Sequence, residues 1–225
     1  MKLIFQILFQ PRRALEGIKT KPQWLIPFIL LAGVSIIVIL LQHERVVQLA
    51  LDHLPSSATA EDKVAVKQSL NENLVIRCGF LPIRLIVGWA MFALTLFYAC
   101  KAWSTSEVVR FGQLFFLEVA AESIMVLGRI ASLIYGGDAE TPFLRVPLGI
   151  DMISLPSQDA VVQMALNSVN VFSIWYFVIL TMGISLIYGI SKTKSVISVG
   201  AVWIVEILSN VSILYVLRET LHLKL

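Results

Sequence analysis

Glu118, Glu122 and Arg129 stand in an otherwise apolar stretch, FGQLFFLEVAAESIMVLGRIASLIY. Their spacing of four and then seven residues brings all three to within about 40° of one another on a helix turning 100° per residue. Met125 and Ser132 extend the same stripe. Carboxylates and a guanidinium on one face form ion pairs, relay protons or line a polar path. Glu206 sits in the middle of a second apolar stretch, with Asn210 one turn further on, and Arg84 lies near the start of a third. The constellations of nucleophilic or metal-assisted catalysis are missing: the sequence has no HExxH, phosphate-binding loop, GxGxxG or Ser-His-Asp context. His43, His53 and His222 have no metal-ligand spacing and read as surface residues. The expectation is a protein with no catalytic residues, no metal and no cofactor.

The elements that carry these residues follow from composition. The chain has 225 residues, of which 57% are hydrophobic and only 15% charged, and its mean hydropathy is +0.82. Soluble domains average about 25% charged residues, and a soluble fold of this size has too little interior for so much apolar surface. Disorder is excluded on the same ground. A helix needs about 20 apolar residues to cross the hydrocarbon layer. Five stretches meet that length, at about 24–41, 80–100, 111–135, 171–190 and 196–217. The expected fold is all-α: a polytopic membrane protein, a single five-helix transmembrane bundle over residues 1–225.

Lys and Arg set the orientation. With the N-terminus inside, segments 1–23, 101–110 and 191–195 hold 9 Lys/Arg and 2 acids, and the longer outer segments hold 7 Lys/Arg and 10 acids. That asymmetry places the N-terminus in the cytoplasm and the C-terminus outside. The opening MKLIFQILF is too short to span and is not followed by a cleavage signal, so it reads as an interfacial helix with Phe5, Leu8 and Phe9 in the lipid boundary. Pro11 ends that helix, and Arg12, Arg13, Lys19 and Lys21 face anionic headgroups. The net charge of +3 is too small to argue for nucleic acid.

Local signals complete the outline. The first span continues to about Leu54 and stops before Pro55, and Thr59 with Asp62 forms a capping box for a long helix entering the second span. Ser104 and Glu107 give the same start signal for the third span. The outer segment with Pro142, Pro147 and Pro156 packs on the outer face, and Ser157 caps a short helix after it. SKTKS is short enough to force the last two spans into an antiparallel hairpin, with Gly183, Gly189 and Gly200 allowing close contact there. Trp89, Trp103, Trp175 and Trp203 read as packing or interfacial anchors. Cys78 and Cys100 lie about 33 Å apart along one helix at 1.5 Å per residue and cannot pair with each other. Counting 1.5 Å per residue also places Glu122 and Glu206 near the midplane, with Arg84 and Arg129 roughly 9–10 Å further out. The economical packing joins spans two, three and five, each Arg bonded to a carboxylate, with one acid in excess.

NVFSIW at Asn170–Trp175, which includes Phe172, followed by LTMGISLIYGISKTKS (with Gly183) and AVWIVEIL, resembles the closing hairpin of the Yip family. These are small five-span proteins related to the Ypt-interacting proteins of the secretory pathway. FQPRRALEGIKTKPQWLIPFIL at the start and WSTSEVVRFGQLFFLEVAAES in the middle are similar to the bacterial branch. The resemblance implies the same five-span fold and no reaction. Its eukaryotic members are linked to Rab-type GTPases, but the long cytosolic region with an Asp-Leu-Tyr-Gly-Pro-type motif is missing, so GTPase binding is not expected. Some bacterial relatives look like accessory subunits of export systems. The implied role is a scaffold or accessory subunit in the bacterial inner membrane, contacting lipid and a permease, ATPase, adaptor or second copy. The alternative is a small proton- or solute-coupled transporter or lipid-handling protein built on the Glu/Arg stripe.

Overall fold

A computed structural model describes residues 2–20, 23–52, 54–55, 57–103, 110–135 and 169–221. Seven α-helices occupy them: α1 (Lys2–Phe9), α2 (Pro11–Thr20), α3 (Leu25–Asp52), α4 (Ala60–Lys101), α5 (Phe111–Tyr135), α6 (Val171–Tyr188) and α7 (Lys192–Leu221). The expected Ser104/Glu107 start signal, the segment with Pro142, Pro147, Pro156 and Ser157, and Lys21, His53 and His222 lie outside the described residues.

Three helices, α3, α4 and α6, are long and apolar enough to cross a membrane. The first has 28 residues and rises about 42 Å, more than the roughly 30 Å hydrocarbon layer requires. It stops at Asp52, ahead of Pro55, as the sequence predicts. The expected capping box opens α4: the Thr59 backbone N–H donates to Asp62 Oδ2 at 2.8 Å, and the Asp62 N–H donates to Thr59 Oγ1 at 3.2 Å. The backbone N–H of Thr59, and after it the Thr59 hydroxyl, donate to the exposed Asp62 carboxyl and hold it below its ordinary value of 3.8. The helix then runs 42 residues without a break, through Pro82.

The central element is α5. From Leu114 to Val126 every residue except the half-buried Met125 is buried, and the helix packs against α3, α4, α6, α1 and α2. The sequence leaves most of this helix to lipid, with one polar stripe turned inward. The structure encloses it on nearly every side, which covers Glu118 and Glu122 and leaves the Arg129 side chain partly exposed.

Two glycines bring α5 and α6 together. A Cβ at Gly183 would stand 2.4 Å from Leu117 Cδ1, and one at Gly128 would stand 3.0 Å from Phe172 Cγ. Gly183 therefore serves the α5–α6 contact, not the last hairpin. Gly189 has φ of 66° and ends α6 in the left-handed conformation that a side chain would strain. Gly200 faces Phe177 at an ordinary 3.8 Å, so it does contribute to the α6–α7 hairpin.

The N-terminal segment packs on the bundle. Pro11 does separate two helices, taking the first position of α2, where its missing N–H is harmless. Yet Ile7, Ala14, Leu15 and Ile18 are buried in the same core as the bundle helices. Phe9 does remain 76% exposed, and Leu8 is partly buried against the core. Covering the end of α5 removes Ile7, Ala14, Leu15 and Ile18 from water. The side chain of Phe5 lies outside the described residues.

Candidate functional site

The polar seam begins on α5. Glu118 is 2% exposed and Glu122 7% exposed. Arg129 Nη2 donates to Glu122 Oε1 at 2.9 Å, two helical turns along the same stripe. The predicted alignment therefore closes as an ion pair within one helix. The Glu122 side chain is nearly covered, whereas that of Arg129 is 43% exposed, so the pair is buried at its acid end and open at its basic end.

Glu118 has a different partner. The Tyr176 hydroxyl of α6 donates to Glu118 Oε1 at 2.6 Å, and both residues are buried. Glu118 Oε2 is enclosed without a hydrogen bond. The sequence does not single out Tyr176. The available signal is that a buried Tyr needs a partner for its hydroxyl, and Tyr176 lies three residues after Ser173 and seven before Gly183 on the buried face of α6.

Glu206 lies on α7 within electrostatic range of Glu118, Glu122 and Tyr176. Ser195, Val199 and Val202 are buried on α7, and Glu206 follows Val202 by one turn on the same face. The Glu206 side chain is nevertheless exposed. The seam is thus closed as far as Val202 and open at Glu206. The side chain of Asn210 lies outside the described residues.

Arg84 does not join the seam. It is exposed on α4 and has no ion-pair partner among the described residues. The expected pairing of each Arg with a carboxylate holds for Arg129 alone. The face of α4 that packs inward carries Leu81, Leu85, Trp89 and Phe92, and Arg84 falls to the side of it. A long side chain away from the middle of a span can extend its charged end toward water, which removes the need for an internal acid.

The residues that carry the family resemblance are structural. The Asn170 side chain accepts from the N–H groups of Phe172 and Ser173, each at 3.0 Å, and the Asn170 N–H donates to Ser173 Oγ at 2.9 Å. This capping box starts α6. Phe172 packs on Gly128, Gly183 on Leu117, and Trp175 is exposed. Other tryptophans pack as expected: Trp89 edge-on to Phe28, Trp203 against Phe177, and Trp103 under the Lys194 ammonium.

Basic residues gather at one end. Arg12 and Arg13 are exposed and, with Gln10, Pro11 and Glu16, line an open groove. Lys19 does more than face solvent: its Nζ donates to the Leu186 carbonyl at 3.1 Å, and Gln113 Nε2 donates to the Lys19 carbonyl at 2.7 Å. These bonds fasten the C-terminus of α2 to the start of α5 and the end of α6. At the other end His43 Nε2 and Asn71 Oδ1 lie 2.7 Å apart, joining α3 to α4. Among the described residues no group of His, Cys, Asp and Glu has metal-binding geometry, and Cys78 and Cys100 are both free.

Comparison of the chain with models of known protein families found no match, and comparisons with curated proteins and with solved structures found none either.

Proposed function

We propose that this chain is a five-span integral membrane protein that works without catalysis, as a scaffold or accessory subunit of another membrane complex. The observation that carries this reading is the state of its inner charges. Glu122 is paired with Arg129 inside α5, and Glu118 is bonded to Tyr176 across the α5–α6 contact. Polar groups satisfied in this way fix helix register and rotation.

In this reading α5 and α7 cross the membrane beside α3, α4 and α6. Lys19 and Gln113, bonded near the end of α6, and Lys194 over Trp103 mark a common basic end, which supports a cytoplasmic N-terminus and an outer C-terminus. Broad apolar faces point outward, with Ile29 and Ile37 on α3, Val87 and Met91 on α4, and Ile204 and Leu208 on α7 exposed. They are available to lipid and to a partner's helices. The patches similar to the bacterial branch of the Yip family favour the inner membrane and an export-type assembly with a permease, ATPase or adaptor.

A second reading, proton- or solute-coupled transport, draws on one observation, the enclosed Glu118 Oε2 without a hydrogen bond. The deciding experiment is cross-linking in the native membrane, followed by gentle-detergent purification and mass spectrometry. A stoichiometric membrane partner is the expected result. A lone monomer, together with flux in proteoliposomes that Glu122→Gln abolishes, would replace the scaffold reading with transport.

A further inference from the structure

Among the described residues, Glu206 is the one carboxyl of the seam with no hydrogen bond or ion pair. It lies near the middle of α7, on the face that is buried at Val199 and Val202, and it is exposed. No hydrogen bond or ion pair reaches it from any described residue. Around it the seam holds three carboxyls, Glu118, Glu122 and Glu206, against the single guanidinium of Arg129. Arg84 is too far along the bundle to help. Taking Cys100 and Ser198 as neighbours on α4 and α7, Arg84 stands about 24 Å above that level and Glu206 about 12 Å, at 1.5 Å per residue.

We propose that the opening at Glu206 receives a transmembrane helix of a different protein, one that carries a Lys or Arg near the bilayer midplane. The inference rests on the accessory-subunit reading and names the contact through which it acts. Charge complementarity selects the occupant. A carboxyl at the bilayer centre either takes up a proton or pairs with a basic group, and only the pair lets it stay ionised there. A second copy of this chain, related by a two-fold axis along the membrane normal, would bring another Glu206 to the same depth. Segment 136–170 of this chain brings four acids and one arginine, the wrong balance for an acidic seam. A basic partner helix supplies the missing sign, and the exposed Val205 and Ser209 beside Glu206 are small enough to admit its backbone closely.

The test places a photoreactive amino acid at Ser209 or Val205 in the full-length protein in its native membrane, with Ile29 and Ile37 on α3 as control positions. The expected product joins Ser209 or Val205 to one transmembrane peptide of another protein that contains a Lys or Arg. Its yield falls at least tenfold with Glu206→Gln. It also falls with Glu206→Lys and returns when the partner's basic residue is replaced by Glu. Should Glu206→Gln fail to fold, replacing the partner's basic residue by Met carries the same test with this chain unaltered. Products formed only with lipid, with a second copy or with segment 136–168 would overturn the inference, as would an undiminished yield with Glu206→Gln. A partner captured through α3 alone would sink this inference and spare the accessory-subunit reading. Capture of no partner from any face would sink both.

Discussion

Replacing Gly183 by Ala probes the contact that seats α6 against α5. The new Cβ would lie 2.4 Å from Leu117 Cδ1 and 2.7 Å from Cδ2, whereas carbon atoms pack comfortably at about 3.5–4.0 Å. Leu117 must therefore retreat by about 1 Å or more, and it is completely buried, so there is no free space to receive it. Overpacking of this kind costs about 1–3 kcal/mol. Removing a glycine from a helix returns at most about 1 kcal/mol. With the full return the expected net loss is about 0–2 kcal/mol, against a gain of up to about 1 kcal/mol where the new methyl meets nothing. Gly88, with no atom within 4 Å of its would-be Cβ, is the matched control, and Gly88→Ala should be neutral or slightly stabilising. The assay is thermal unfolding in detergent, read by a maleimide dye that reacts with the buried Cys100 when the bundle opens. The double variant Gly183→Ala with Leu117→Ala should be less destabilised than the two single effects added together, because the smaller residue makes room for the new methyl. Equal melting temperatures for Gly183→Ala and Gly88→Ala, or strict additivity in the double variant, would refute the close-packing argument.

Other expectations follow from the polar contacts. Tyr176→Phe leaves Glu118 Oε1 buried without its donor and should destabilise the bundle by about 1–3 kcal/mol, measured in the same melting assay. Glu122→Gln keeps the shape but removes the charge opposite Arg129. Because the guanidinium is partly exposed, the loss should fall below the roughly 3–5 kcal/mol typical of a fully buried pair, and high salt should change it little on the covered acid side. Asn170→Ala removes the acceptor for two N–H groups at the start of α6, at about 1 kcal/mol. The Asp62 cap predicts a pH dependence. Its carboxyl is held below 3.8, so its support for the start of α4 is complete above that value and is lost as the pH falls through the lower, folded-state value. The protection of the Thr59 amide against exchange, corrected for the intrinsic rate at each pH, should fall in acid, and Asp62→Ala should remove that dependence.

Much of the fold is legible in the sequence because each signal is local. The Thr59–Asp62 cap, the stop before Pro55, the break at Pro11 and the hairpin after Tyr188 each depend on a few adjacent residues, and each stands where the pattern puts it. The Glu122–Arg129 pair is also local, since one helix carries both groups. What the sequence hides is which helix surrounds which. Nothing in the composition of α5 distinguishes a span with one polar face from a central helix packed on nearly every side, because the apolar residues suit lipid and protein interior equally. The same ambiguity misplaces Gly183, whose neighbour is settled by three-dimensional packing and not by spacing along the chain. Arg84 illustrates a further limit. Depth follows from counting residues, but pairing also needs the direction in which α4 faces, and a long arginine away from the middle of a span has water as an alternative partner.

The most direct test of the account asks whether the seam on α5 is dry. A single cysteine replaces Met125, which lies on the stripe with Glu118, Glu122 and Arg129, in a protein whose Cys78 and Cys100 are changed to Ser. A second protein carries its single cysteine at the exposed Gly17. Both are treated in sealed vesicles of the native membrane with a small, membrane-impermeant thiol reagent, before and after the vesicles are opened. The account predicts labelling at position 17 from one side alone and none at position 125 from either side. Rapid labelling at 125 in folded protein would show water reaching the seam, contradict its role as a packed internal brace, and turn the reading to transport.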